Sequence, residues 1–252
     1  MKIKYNIFEY YFYNKFYPLE KLINLLHRAF QGEVQTGIFK GLKLAKGSKW
    51  GNSGNKLLGT YEMELYPTIQ NLDLLKINRI FDIGSAEGYY AIGMLKLIPN
   101  ATLKAWEMDS DSRELLLNNS QLNSVQNRLE VFGKCEYESF IDNLANDKPD
   151  FIIIDTEGYE LALLTNEVAR QLINTTLLVE THSIEIQNIL LDRFENTHQI
   201  SIINNRDENL EDFKDKSKLP FVFRIFNKNL LRVINEGRPF PTPWFFMIPK
   251  NT

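Results

Sequence analysis

Cysteine is all but missing from this 252-residue chain: Cys135 stands alone, so no disulfide can form within it and no cysteine-rich metal site can be built. A reducing, cytoplasmic setting is the expectation. Long apolar runs are missing too, since none approaches the roughly 18 residues of a spanning helix. The stretch after Met1-Lys2-Ile3-Lys4 is broken by Glu9 and rich in tyrosine rather than leucine, which argues against a signal peptide. Nor is there an excess of either charge. Lys and Arg number 29 against 32 Asp and Glu, a formal net charge of −3 that offers no general attraction to polyanions. Nucleic acid is therefore not an expected partner, and the chain itself is expected to be soluble. No internal repeat or low-complexity tract appears.

What is present is ordinary for a globular chain, 44% hydrophobic and 24% charged, and long enough for one large domain with an extension and a single active site. Residues 1 to about 30 read as an aromatic helical preface. Phe8, Tyr11, Phe12 and Phe16 share one helical face, Pro18 interrupts, and Leu19, Leu22, Ile23, Leu26 and Phe30 form a second stripe. Docking on the main domain is expected of these stripes, because a membrane-surface helix would carry more Lys and Arg. His27 reads as an ordinary packed or surface histidine. The text "GIFKGLKLAKGSKWGNSG", residues 37–54, reads as a short hairpin and loop, which completes a helical and hairpin extension over residues 1–58.

From Asn78 short apolar runs alternate with amphipathic stretches, the pattern of a mostly parallel Rossmann-like sheet with helices on both faces, an α/β fold over residues 59–252. The expected strands are Arg79–Ile83, Thr102–Trp106, Arg128–Phe132, Asp150–Ile154, Thr175–Val179, Gln199–Ile203 and Trp244–Ile248, which makes seven. Helices are expected at Tyr89–Leu97, Ser112–Leu122, Tyr137–Leu144, Tyr159–Leu172 and Ile184–Phe194. An insertion at about 205–243 opens with mixed charges, Asp207 to Lys218, and continues as "LPFVFRIF", too apolar for a bare loop. It should fold back on the domain or, with the aromatic preface, cover an acceptor pocket.

The most informative segment is "RIFDIGSAEGYYAIGML", residues 79–95, an apolar strand running into a glycine turn and then a helix. Gly84 and Gly88 leave room for backbone to approach a ligand, and the helix start offers free N–H groups. Asp82 at the strand end can receive a cationic amine. That pair of features suits the ammonium and carboxylate of S-adenosylmethionine. The middle glycine of the dinucleotide fingerprint is replaced by Ala86, which disfavours NAD, and the P-loop lysine is absent. Glu107, 25 positions after Asp82, ends the second strand where an acid can accept both ribose hydroxyls, while Asp111 reads as the cap of the next helix. Gly133, Lys134 and Cys135 of "FGKCEYESF" lie where a loop would flank an adenine. Tyr61, Ser85, Ala86, Tyr90, Met108 and Asp155 complete the expected cofactor set.

At the fourth strand "DFIIIDTEGYELALL" puts Asp155 and Glu157 on the carboxyl edge of the sheet, and "LLVETH" of the fifth brings Glu180 and His182 to the same edge. With "DIGSAEGYY", with "WEMD" followed by Asn119 and Asn123, and with "IIIDTEGYEL" and "LLVETH", the chain resembles the FkbM-type methyltransferases over roughly residues 59–180. "GTYEMEL" upstream is similar to the cofactor-side entry of such sequences, whereas Ser85-Ala86-Glu87 stands where Ala-Asn-x is more common. The resemblance implies a class I S-adenosylmethionine enzyme methylating hydroxyl groups of sugars or natural products. It implies that Asp82, Gly84, Gly88 and Glu107 hold the cofactor and that Asp155 and Glu157 border the transfer site.

An alcohol acceptor must lose a proton. A histidine, with pKa about 6.5, is the natural base, and His182 is the only histidine at the expected edge. Asp155 is the rival base. Asp155, Glu180 and His182 together could instead hold a divalent ion. No ligand pair has a diagnostic metal spacing, so unassisted base catalysis is ranked above metal. The alternative functions are a nicotinamide-dependent oxidoreductase and a non-catalytic cofactor-binding protein on the same fold. The expected partner is a small-molecule or carbohydrate acceptor.

Overall fold

The structure is a computed structural model that describes residues 7–48, 51–213, 216–238 and 240–250. Met1 to Lys4, Lys49 and Trp50 of the expected hairpin, and Lys214 and Asp215 of the insertion lie outside the described residues. In chain order the first helices are α1 (Ile7–Phe16), α2 (Leu19–Phe30), α3 (Ser53–Leu58) and α4 (Tyr66–Gln70). Strands and helices then alternate as β1 (Arg79–Ile83), α5 (Tyr89–Leu97), β2 (Thr102–Trp106), α6 (Ser110–Leu122), β3 (Leu129–Phe132), α7 (Tyr137–Asn146) and β4 (Phe151–Ile154). After β4 come α8 (Glu160–Leu163), α9 (Asn166–Gln171), β5 (Thr176–Glu180), α10 (Ile184–Phe194) and β6 (His198–Ile203). Last are α11 (Phe221–Ile225), α12 (Asn227–Ile234) and β7 (Trp244–Pro249).

These elements form two compact units, one of Met1–Tyr66 with Arg206–Pro239, the other of Pro67–Asn205 with Phe240–Thr252. The division differs from the expected one at residue 58. The insertion belongs with the N-terminal segment as a unit of its own.

The larger unit is a seven-stranded sheet in the order β3-β2-β1-β4-β5-β7-β6. β1 to β5 pair in parallel, while β7 runs antiparallel between β5 and β6. Parallel strands flanked by helices bury both faces, which is why β4 reads as an unbroken apolar run and is buried at every position. Phe81, Ile83, Ile152, Ile154, Leu177 and Val179 share one core cluster with Phe140, Leu163, Val168 and Leu190 of the helices. By strand alternation Asp82 looks to the opposite face, where the Ala91 N–H of α5 reaches it.

Several expected bounds shift by a residue or two, and two of the changes have a visible cause. The strand expected from Arg128 begins at Leu129, because the Arg128 guanidinium is used to close α5, donating to the carbonyls of Leu95, Ile98 and Ala101. The helix expected over Tyr159–Leu172 is broken into α8 and α9, since the Thr165 hydroxyl accepts from the Val168 N–H and starts a new helix.

In the smaller unit α2 buries Leu22, Leu26 and Phe30, and α12 buries Leu230, Val233 and Ile234. Arg232 of α12 donates to the Tyr13 and Tyr17 carbonyls at the end of α1. Asn52 donates to the Arg232 and Val233 carbonyls, satisfying acceptors that α12 leaves open at its end. Among the described residues of 37–54 the expected hairpin does not form. Among the described residues there is one isolated bridge, Glu33 to Lys43, because Gly37, Gly41, Gly47 and Gly51 all take positive φ and prevent a ladder. Its apolar residues Phe39, Leu42 and Leu44 are buried from an irregular loop.

Candidate active site

The turn from β1 to α5 gathers the expected cofactor residues. Gly84 and Gly88 take φ of 85° and 87°, and Ala86 takes 46°. A Cβ on Gly84 would sit 1.6 Å from the Asp155 carbonyl oxygen, and one on Gly88 would sit 2.2 Å from Leu116 Cδ1. Gly84 is therefore demanded by the chain's own packing, and Gly88 by its left-handed backbone, since the Leu116 side-chain end can move aside. One consequence is that the turn lies against the end of β4, with the Asp155 N–H donating to the Ile83 carbonyl at 2.9 Å. Ser85 closes the turn onto β2, its N–H and hydroxyl both donating to the Trp106 carbonyl.

Asp82 and Glu107 are the charged pair of this corner, both buried. The Glu107 carboxylate accepts from the Ala86 N–H at 2.8 Å and from the Asp109 N–H at 2.7 Å. Each carboxylate oxygen keeps a further acceptor position. The cap of α6 is Asp109, not Asp111 as expected, with its side chain accepting from the Ser112 N–H at 2.8 Å. Asp82 is 2% exposed, and its Oδ2 has no hydrogen-bond partner. Burial, with the nearby Glu107 charge, pushes its carboxyl up to about 7 against a weaker opposing hydrogen bond from Ala91.

The other expected cofactor residues are spread more widely. Tyr61 belongs to the smaller unit, where the Lys56 ammonium lies 4.9 Å from its ring centroid. Tyr90 packs edge-on against Tyr89 and lies 6.3 Å from the Trp244 ring. Met108 is exposed, and Lys134 pairs with Glu136 at 3.0 Å while standing over the Tyr159 ring. Cys135 is a core residue, its thiol pushed up to about 12 by burial and the Glu136 charge.

The ends of β4 and β5 bring a second cluster together. His182 Nδ1 lies 3.0 Å from Glu160 Oε1, and Nε2 lies 3.6 Å from Asp155, 3.4 Å from Glu157 and 3.4 Å from Glu180. Glu160 is fully buried, and the Thr156 hydroxyl and Gly158 N–H also donate to its Oε1. The Thr242 hydroxyl donates to Glu180 at 2.6 Å. Burial alone would lower the His182 pKa, but the carboxylates of Glu160 and Glu180 overcome it and lift it to about 10. This changes the sequence expectation of an ordinary imidazole. With no cation bound, these carboxylates favour the protonated ring, which has no lone pair with which to take a proton. Sequence reasoning also missed Glu160, although it is the third acid of the Asp155-x-Glu157-Gly-x-Glu160 motif.

No known protein-family profile and no characterised protein sequence matches the chain. Solved structures do. A precorrin-6y C5,15-methyltransferase from Geobacter metallireducens GS-15 aligns with TM-score 0.52 and 13% identity over 85% of this chain and 98% of that one. The chain has a Rossmann-like methyltransferase fold. Cofactor-bound Rv0187 from MTB aligns at TM-score 0.48 and 11% identity over 100% of both chains. The C-terminal domain of a precorrin-6Y C5,15-methyltransferase from Rhodobacter capsulatus aligns at 0.47 and 13%, over 73% and 87%. These last two fall below 0.5 and add nothing to the assignment. At such identities the likeness fixes the fold, and the chemistry has to come from the residues.

Proposed function

We propose that this chain is an S-adenosylmethionine-dependent methyltransferase of the FkbM type, acting on a hydroxyl oxygen of a small molecule or carbohydrate. The observation that carries the reading is Asp82. A buried carboxyl oxygen without a partner, at the carboxyl edge of the sheet, is costly unless a ligand donor completes it. The ammonium of an amino-acid moiety supplies both the donor and the charge. Glu107 is placed to accept ribose hydroxyls at its remaining positions, and the α5 start, capped by Gly88 without a side-chain bond, offers N–H groups to a carboxylate.

S-adenosylmethionine, when bound, supplies an electrophilic methyl group. What the chain supplies is placement. The Gly84 turn touches Asp155 of β4, so the proposed donor corner and the acidic end of β4 are built as one piece. Alignment of acceptor and methyl group can provide much of the rate of such a displacement. Asp155, the rival base in the sequence reading, becomes the leading proton acceptor, with His182 as its charged neighbour. The motif Asp155-x-Glu157-Gly-x-Glu160 supports the FkbM subtype and the oxygen acceptor.

Calorimetry tests the reading. S-adenosylmethionine and its demethylated product should bind with at least micromolar affinity, and NAD should bind far more weakly. Equal or tighter binding of NAD would overturn it.

A further inference from the structure

We infer that the paired ends of β4 and β5 form a divalent metal site, in which Asp155, Glu157 and His182 Nε2 are the ligands, Glu180 stands beside them and Glu160 positions the imidazole. Its task in catalysis rests on the methyl-transfer reading, while the binding of the ion does not.

The argument begins with the imidazole. Glu160 is an acceptor fixed by the Thr156 hydroxyl and the Gly158 N–H, so the hydrogen on the near side of the ring belongs to Nδ1. Nε2 is then the atom turned toward the remaining acids. It can carry at most one hydrogen, yet three carboxylates converge on it at 3.4 to 3.6 Å, in addition to partners of their own such as the Thr242 hydroxyl on Glu180. One N–H cannot point at all three. A cation can, since donors bound at about 2.1 Å to one ion fall about 3 Å apart, only slightly closer than these. One donor atom each from Asp155, Glu157 and His182 already lie within 4.8 Å of one another.

A second feature points the same way. A metal-binding histidine usually gives its other N–H to a carboxylate, which fixes the tautomer and makes the ligating nitrogen more basic. Glu160 holds that position and is 0% exposed, with its Oε2 buried and lacking a hydrogen-bond partner. An ion on Nε2 would strengthen the Nδ1–H bond to this buried charge. The frame is rigid, since Ile154 pairs with Val179 in the sheet core, and Glu157 at 69% side-chain exposure leaves a path from solvent. One imidazole among carboxylates suits Mn2+ or Zn2+ better than Ca2+. An ion here would draw an acceptor hydroxyl and lower its pKa.

The test is Mn2+ titration of the full chain after chelation, followed by electron paramagnetic resonance. We expect saturation at one ion per chain, Zn2+ competing, and nitrogen coupling from the imidazole in the pulsed spectrum. His182→Ala should abolish that coupling and the binding, and the exposed Glu157→Gln should weaken binding at least tenfold without threatening the fold. Glu160→Gln should weaken it by about 10- to 100-fold and shift the nitrogen coupling, a change that loss of packing alone would not produce. Absence of saturable binding, or binding unaltered in both Glu157→Gln and His182→Ala, would overturn the proposal. Calorimetry of S-adenosylmethionine with the chelated protein separates the two readings. Cofactor binding without Mn2+ binding sinks the metal site alone, and Mn2+ binding without cofactor binding upholds the site while removing the methyl-transfer reading.

Discussion

Each unit of the molecule gathers carboxylates around one nitrogen base, and the two clusters solve the problem differently. In the smaller unit Arg238 meets Glu62 at 2.7 Å and Glu236 at 2.8 Å, with Glu64 at 3.5 Å. Arginine is a permanent cation with five fixed donors, so it can serve several acids at once. The remaining imbalance falls on Glu236, whose carboxyl is pushed up to about 7 chiefly by burial, and a proton there relieves it. In the larger unit a two-nitrogen ring faces four carboxylates, with Glu160 the nearest at 3.0 Å. The first arrangement is complete in itself and reads as structure. The second gathers its acids at the edge where such folds bind ligands, which is why we propose it as a site.

The largest effect that would break this contrast is on turnover. His182→Ala should cut methyl transfer by about 100- to 10,000-fold, the range for loss of a positioned catalytic group, while cofactor affinity stays near wild type. Full turnover by that variant would make the imidazole structural and leave Asp155 to act alone. Arg238→Ala should act on stability instead. It strands several buried carboxylates, a change that typically costs about 3–5 kcal/mol, read as a lower unfolding midpoint in urea. A near-neutral result would show that the Arg238 cluster, too, is dispensable to the fold.

Asp82 sharpens the contrast from the other corner of the sheet. Its pKa rises from 3.8 to about 7 on folding, so the folded state holds the proton more tightly than the unfolded chain does. Its contribution to stability is therefore complete below about pH 4 and is lost as pH rises toward 7. Asp82→Asn should raise the melting temperature of the ligand-free protein above pH 7 and leave it unchanged near pH 4. The same variant should bind S-adenosylmethionine about 10- to 100-fold more weakly, since a hydrogen bond to a charged group is worth about 1.5–3 kcal/mol. A variant that is no more stable at pH 8, or that binds as well as wild type, would return Asp82 to a packing role.

Much of the sheet was legible because parallel strands buried on both faces appear as apolar runs, as at Phe151–Ile154 and Thr176–Glu180. Asp82, Glu107, Asp155 and His182 were legible as strand-end residues, because such sheets bring strand ends to one edge. What stayed hidden depends on contacts distant in sequence. Glu160 reads locally as a helix-start acid, and only the fold shows that it is buried against His182, 22 residues away. Thr242 reaches Glu180 across 62 residues. The insertion's membership of the N-terminal unit rests on pairs such as Asn52 with the Val233 carbonyl, 181 residues apart. The glycine turn was found for an incomplete reason, because the sequence does not reveal that Asp155 lies behind Gly84.

The smallest expected effect concerns Glu107, and it needs the most careful design. Its carboxylate already accepts from Ala86 and Asp109, so Glu107→Ala would disturb the turn whether or not a ribose ever touches it. Affinity loss in one variant therefore cannot separate ribose recognition from turn support. A double-mutant cycle can, because turn damage weakens binding of every ligand alike, whereas a lost hydrogen bond matters only when its partner hydroxyl is present. The demethylated cofactor product and its 2′-deoxy and 3′-deoxy analogues should be titrated against wild type and Glu107→Gln. If Glu107 holds the ribose, deletion of a hydroxyl should cost wild type about 1 kcal/mol or more and cost the variant much less. If both proteins lose the same amount with each analogue, the coupling is zero, and Glu107 is a turn residue whose buried charge serves the β1–β2 corner alone.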